Sequence, residues 1–112
     1  MSDRLTLVFH ALADPTRRHM LERLLEGEAT VNELADPLPI SQPGVSKHLK
    51  VLEAAGLVER RRDATRRWAS IRGAPLKEVI RWTSEFQRLW DESFARLDDV
   101  LQDEKRKPRA RR

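Results

Sequence analysis

The chain has 112 residues, 39% hydrophobic and 36% charged, enough for one domain with a modest core. No run approaches the roughly 18 consecutive apolar residues of a membrane span, and the lack of cysteine excludes a disulfide framework, a thiolate metal site and a thiol redox switch. The net charge of +4 is uneven: KRKPRARR at the end holds six of the 22 basic side chains, without which the balance is −2, while residues 41–72 hold eight Lys/Arg against three Asp/Glu.

In chain order, MSDRLTLVFHALADP lacks the basic region and long apolar core of a secretion signal, so a cytoplasmic protein is expected. Leu5, Val8, Phe9 and Leu12 predict a short amphipathic helix that ends at Ala13-Asp14-Pro15. Asp14 can cap a second helix with Pro15 in its first position, running through Met20, Leu21, Leu24 and Leu25 to Gly27. Thr16 and Arg17 in its first turn could hold a phosphate, although an ordinary first turn explains them equally well. Thr30-Val31-Asn32-Glu33 is a capping box for a third, short helix through Leu34 and Ala35 that cannot run far past Pro37 and Pro39.

The stretch SQPGVSKHLKVLEAAGLV, residues 41–58, carries the most functional information. Ser41 can cap a helix, Pro43 is tolerated in its first turn, and Gly56 supplies a left-handed stop. Val45, Leu49 and Leu52 recur at helical spacing, and Gln42, Ser46, Lys47 and Lys50 fall on the opposite face with hydrogen-bonding and cationic groups. A short helix, a tight turn and a helix with a polar outer face is a helix-turn-helix pattern, whose second helix enters the DNA major groove. Residues 57–62 and 66–71 predict two strands around a polar turn at Asp63-Ala64-Thr65, hence a basic wing. From Pro75 to about Leu101 a single long helix is expected, with an apolar stripe too wide for one small domain. The fold class expected is mainly α with a small β-hairpin, a winged helix-turn-helix over residues 1–102, followed by a disordered basic tail over residues 103–112 that adds nonspecific DNA affinity.

ALADPTRRHMLERLLEGE at residues 11–28, VNELADPL before the turn, SQPGVSKHLKVLEAAGLVERRRD across the second helix and first wing strand, and APLKEV together resemble the ArsR/SmtB family of small bacterial winged-helix repressors. That resemblance implies a homodimer formed by the first and last helices, two reading helices presented to a pseudo-palindromic double-stranded operator, and repression by occluding a promoter. It carries the family's DNA-contact positions onto Ser41, Gln42, Ser46, Lys47, His48 and Lys50, with Arg62, Arg66 and Arg67 from the wing. The dimer positions are Leu5, Val8 and Phe9 on the first helix and Phe86, Trp90, Phe94 and Leu97 on the last. At the wing tip Ala64 and Thr65 replace a Gly-Arg pair common among related regulators, which predicts a looser or shorter tip, and Ala69 replaces a common aromatic residue.

The metal-sensing chemistry of many relatives is not expected. Residues 31–36 offer carboxylates without sulfur, the last helix has no histidine, and His10 with His19 is a weak ligand pair beside the plainer reading of two non-ligating histidines. Trp82, Phe86, Trp90 and Phe94 instead resemble family members that end in a Trp-rich dimer helix; a pocket there for an unidentified small-molecule effector is the lesser use. No catalytic site, metal or cofactor is expected. A winged helix serving protein or RNA contacts is the main alternative to a DNA-binding regulator.

Overall fold

A computed structural model of the chain describes residues 3–106, except for the side chains at positions 90, 94, 95 and 104–106. The elements are α1 (Asp3–Leu12), α2 (Pro15–Leu24), β1 (Ala29–Thr30), α3 (Val31–Ala35), α4 (Gln42–Ala54), β2 (Val58–Asp63), β3 (Arg66–Ile71), α5 (Leu76–Ser84) and α6 (Gln87–Arg106). They fall into two compact units that divide between Val79 and Ile80.

The first unit is built on well-marked helix ends. Asp14 caps α2 by accepting a hydrogen bond from the Arg17 backbone N–H at 3.0 Å. The Arg17 side chain turns back to the end of α1, where Nε and Nη2 donate to the carbonyls of Ala11 and His10, and Arg18 donates to Leu12. Two arginines thereby serve three carbonyls at the helix end, of which His10 O also accepts from the Ala13 backbone N–H. At α3, Thr30 and Glu33 form both halves of the capping box. At the end of α4, Gly56 N–H bonds to Glu53 O and Leu57 N–H to Leu52 O, a Schellman closure made possible by the Gly56 φ of 77°. Any larger residue there would also press on Pro75.

These elements enclose one core. Val8, Met20, Leu24, Leu34, Leu49 and Leu52 are all but inaccessible, and each buried aliphatic side chain of this size contributes roughly 1.5–3 kcal/mol. Leu76 and Val79 at the start of α5 pack against the same cluster.

The sheet has three strands in the order β1-β3-β2, all antiparallel. The two-residue strand β1 is not visible in the sequence pattern. It pairs Ala29 with Ala69, both buried, so the alanine at position 69 lies in the interior, paired with a second alanine on β1. The β2–β3 register runs unbroken to Asp63 opposite Arg66, leaving Ala64-Thr65 as a two-residue loop. Of the looser or shorter tip expected, the structure has the short one, a tight loop with Ala64 held at a φ of 57°.

The expected single helix from Pro75 to Leu101 is two helices. Thr83 Oγ1 donates to Ile80 O and Ser84 Oγ to Arg81 O, and the backbone N–H groups of Glu85 and Phe86 bond three residues back rather than four. Hydroxyl side chains that take up nearby carbonyls compete with the helical ladder, and successive short bonds end α5. The second helix runs to Arg106, past the expected domain limit at residue 102, so residues 103–106 of the expected tail are helical. The rest of the tail, residues 107–112, lies outside the described residues.

Candidate nucleic-acid interface

The reading helix α4 is fixed at its start by Ser41, whose hydroxyl accepts from Gly44 N–H at 3.3 Å. Its inward face, Val45, Leu49 and Leu52, is wholly buried. Gln42, Lys47 and Lys50 are exposed and Ser46 is half-buried. The apolar half of the helix is thus consumed by the chain's own core, and the half left to solvent has donors and cations. Ser41 differs from the other positions carried over from the family, because its side chain already serves the helix cap.

His48 is also differently placed. Arg17 Nη1 lies 3.3 Å from His48 Nδ1, and Asp14 Oδ2 lies 4.0 Å from the same nitrogen. A guanidinium only donates, so Nδ1 is the accepting side of this contact. His48, a DNA-contact position by the family resemblance, here joins α4 to the α1–α2 corner. Asp14 is held below the ordinary aspartate range first by the Arg17 backbone N–H, with smaller contributions from the charges of His48 and Arg17. Glu33 is lowered in the same way, chiefly by the Thr30 backbone N–H. Arg17, singled out as a phosphate candidate, is instead committed to two carbonyls and the His48 ring.

The wing sorts its arginines into two groups. Arg61 reaches Glu28 at 2.6 Å and lies over the Trp68 ring, 5.4 Å from its centroid; Arg60 faces Glu53 at 3.9 Å; Arg72 pairs with Glu59. Arg62, Arg66 and Arg67 are exposed, and no side-chain hydrogen bond or ion pair joins them to another of the described residues. Arg62 stands directly opposite Arg67 across the strands. Like charges so placed repel, an arrangement relieved by a polyanion.

One polar cleft of about 570 Å³ brings Gln42, from the start of α4, together with Thr65, Arg66 and Arg67 of the wing, with Thr30 of β1 and with Asn32 and Glu33 of α3. Sequence reasoning did not find Thr30 and Asn32, because their proximity depends on the pairing of β1 with β3. Arg62 borders a separate cleft with Glu53, Arg60 and Arg67. The three wing positions therefore do not share one surface: strand alternation places Arg62 and Arg67 on one face and Arg66 on the other.

Of the dimer positions, Phe9, Phe86 and Leu97 are exposed. Leu5 and Val8 are not available to a partner, being 8% and 0% exposed within the chain's own core. They form the inward face of α1, and its outward apolar residues are Leu7 and Phe9. The side chains of Trp90 and Phe94 lie outside the described residues. His19 is paired with Glu22 at 3.5 Å, and among the described residues no three His, Cys, Asp or Glu side chains are grouped as metal ligands. Among the same residues no helix is long and apolar enough to cross a membrane.

Residues 12–61 match a family profile described as a helix-turn-helix domain. Over 59 residues the chain is 56% identical to the HTH-type transcriptional regulator Rv2034 of Mycobacterium tuberculosis, a match covering 53% of this chain and 55% of that one. It is 34% identical to the transcriptional repressor SdpR of Bacillus subtilis over 70% of this chain and 88% of the relative. Among solved structures, the ArsR family transcriptional regulator RHA00566 superposes with a TM-score of 0.73 at 40% identity, covering 80% of this chain and 92% of that one. The homodimeric winged helix-turn-helix DNA-binding domain of Mb0332 from Mycobacterium bovis superposes with a TM-score of 0.61 at 33% identity, covering 82% of each. With the capped α3-turn-α4 unit, the hairpin wing and these likenesses together, the chain belongs to the ArsR/SmtB family of winged helix-turn-helix transcriptional regulators.

Proposed function

We propose that this protein is a homodimeric repressor that binds a double-stranded operator sequence-specifically and occludes a promoter, working in the cytoplasm. The observation that carries the reading is the cleft that joins Gln42, at the start of α4, to Arg66 and Arg67 of the wing, beside the exposed Lys47 and Lys50. Gln42 suits bidentate pairing with adenine, Lys47 and Lys50 suit guanine or phosphate, and Ser46 suits either base edge or backbone. Arg62, Arg66 and Arg67 act on phosphates, whose neutralisation releases counterions. Ser41 and His48 act by holding α4 in place. The exposed apolar residues of α5 and α6, with Phe9 and Leu7 on α1, form the dimer surfaces, since apolar stripes of this extent are uncommon on monomers. The SdpR likeness supports the repressor sense, and the Mb0332 likeness supports the homodimer.

The test is fluorescence anisotropy on duplex DNA from the protein's own upstream region against a scrambled duplex, across a salt series. A preference for the upstream duplex that persists as salt rises is the expected result. The Lys47→Ala, Lys50→Ala double variant should lose at least about 30-fold in operator affinity with its dimer intact, each base contact contributing roughly 1–3 kcal/mol. Unchanged duplex binding by that variant would refute the reading and leave a winged helix used for protein or RNA contacts.

A further inference from the structure

We propose that the cavity between α2 and the turn preceding α4 is a binding site for a small apolar molecule carrying a single carboxylate. Its volume is about 470 Å³, in the range of small-molecule sites. Met20 and Leu34, both almost wholly buried, form the deep side, and Pro37, Leu38 and Pro39 form the outer wall. The polar groups gather on α2, where Arg23 and His19 border the cavity. An apolar hollow with a few polar groups at one side suits an amphipathic ligand better than water, which needs several polar partners, or a hydrocarbon, which would desolvate the guanidinium without replacing its hydrogen bonds.

Charge decides the sign of the ligand. Arg23 is the arginine of α2 that lines the cavity, and no carboxylate among the described residues lines it, so the wall bearing the polar groups is cationic. Arg23 Nη1 donates to Gly27 O at 3.3 Å, and the remaining guanidinium N–H groups have the geometry for a carboxylate. Glu22, 3.5 Å from His19, puts a negative charge near the same edge and disfavours a dianion or a second acid group. One carboxylate on an apolar body answers all three features.

The outer wall is also the segment that aims the reading helix. Leu38 N–H bonds to Ala35 O, Leu38 and Ile40 pack against the core, and the chain then enters the Ser41 cap. A ligand that widens the cavity displaces this turn and with it the start of α4. The binding site stands on the cavity alone; its control of DNA affinity rests on the DNA-reading assignment.

The experiment is a ¹⁵N–¹H NMR titration of the full chain with octanoate, with octylamine as the control of opposite charge. Saturable shifts confined to residues 16–23 and 34–40 are expected, about tenfold weaker for octylamine and for octanoate on Arg23→Gln. Leu38→Trp should abolish them by filling the space; Arg23→Gln, at a partly exposed site, keeps the test valid should the tryptophan variant misfold. No saturable shift with octanoate, an equal response to octylamine, or shifts centred on residues 80–106 would overturn the site. Shifts at the cavity on concentrating the protein without octanoate would also overturn it, making a second copy the occupant. Weakened operator binding in saturating octanoate is expected; unchanged operator binding with intact NMR shifts overturns the coupling alone. Absence of any specific duplex binding beside intact octanoate shifts would refute the DNA reading and leave the site standing.

Discussion

The helices α4 and α6 are both amphipathic, and they resolve that property in opposite ways. In α4, Val45, Leu49 and Leu52 are completely enclosed by the chain's own core, so the exposed surface of the helix is polar and basic. In α6, Leu89, Leu97, Val100 and Leu101 are each at least half exposed, and Ile80 on α5 is exposed further still. A helix whose apolar face is satisfied within the chain is free to present chemistry to a ligand, whereas one whose apolar face is open requires a partner. In the function proposed above, reading and assembly thus fall to different helices by burial rather than by composition.

The largest effect should come from breaking the open helix. Leu89→Glu with Leu97→Glu adds charge at positions exposed in the single chain, so folding of residues 1–79 is expected to persist. The dimer dissociation constant, measured by analytical ultracentrifugation, should rise at least about 100-fold, or roughly 3 kcal/mol, and operator affinity should fall with it. A dimer of unchanged strength would place the interface elsewhere.

A second variant pair sharpens the other half of the comparison, because neighbouring arginines on one wing are expected to behave differently. Arg62→Ala with Arg67→Ala removes unpaired charge and should flatten the salt dependence of DNA binding by about 0.9 in log–log slope for each phosphate no longer neutralised, with thermal stability unchanged or slightly raised. Arg61→Ala removes the Glu28 pair and the stacking on Trp68, and should lower stability by about 1 kcal/mol with little change in that slope. Equal slopes for the two variants would erase the distinction between paired and unpaired arginines.

Much of this arrangement was legible in the sequence where the signal is local. Asp14-Pro15, Thr30 through Glu33, Ser41 and Gly56 each mark a helix end by stereochemistry within a few residues, and all four mark one in the structure. What failed to show depends on distant partners or on competition between near-equal states. The strand β1 exists because Ala29 meets Ala69, forty residues away. Val8 looks like any apolar residue on an amphipathic helix until the core is assembled around it. The break between α5 and α6 arises where Thr83 and Ser84 hydroxyls outcompete a continued helix, without glycine or proline to announce it. In the candidate site, the polar face of α4 followed from periodicity, but periodicity cannot say that His48 is held by Arg17, thirty-one residues earlier.

The corner that holds α4 also carries an acid dependence. Asp14 and Glu33 are both lowered by the backbone donors they cap, so each binds a proton less readily folded than unfolded. Their stabilisation is therefore complete above the unfolded carboxylate range and is lost as pH falls through the lowered folded values, below about pH 4. Asp14→Asn keeps a capping side chain but removes the titration. The variant should retain most of its melting temperature at neutral pH and lose less of it than the parent on acidification, measured by calorimetry. An identical acid limb in the two proteins would remove Asp14 from the account.

The smallest effect is expected at the wing tip, where the chain accepts a strained alanine. Ala64 has a φ of 57°, and the register on both sides leaves it in a two-residue loop that demands such a conformation. For a residue with a Cβ the left-handed region costs roughly 1–2 kcal/mol, whereas glycine enters it freely but loses more chain entropy on folding. The difference favours Ala64→Gly by about 0.5 kcal/mol, read as a rise of a few degrees or less in melting temperature. Arg66 and Arg67 follow the loop directly, so a turn that keeps its register should leave operator affinity and salt slope unchanged. Destabilisation by glycine would mean that the loop's geometry is set by more than the backbone preference of this one position.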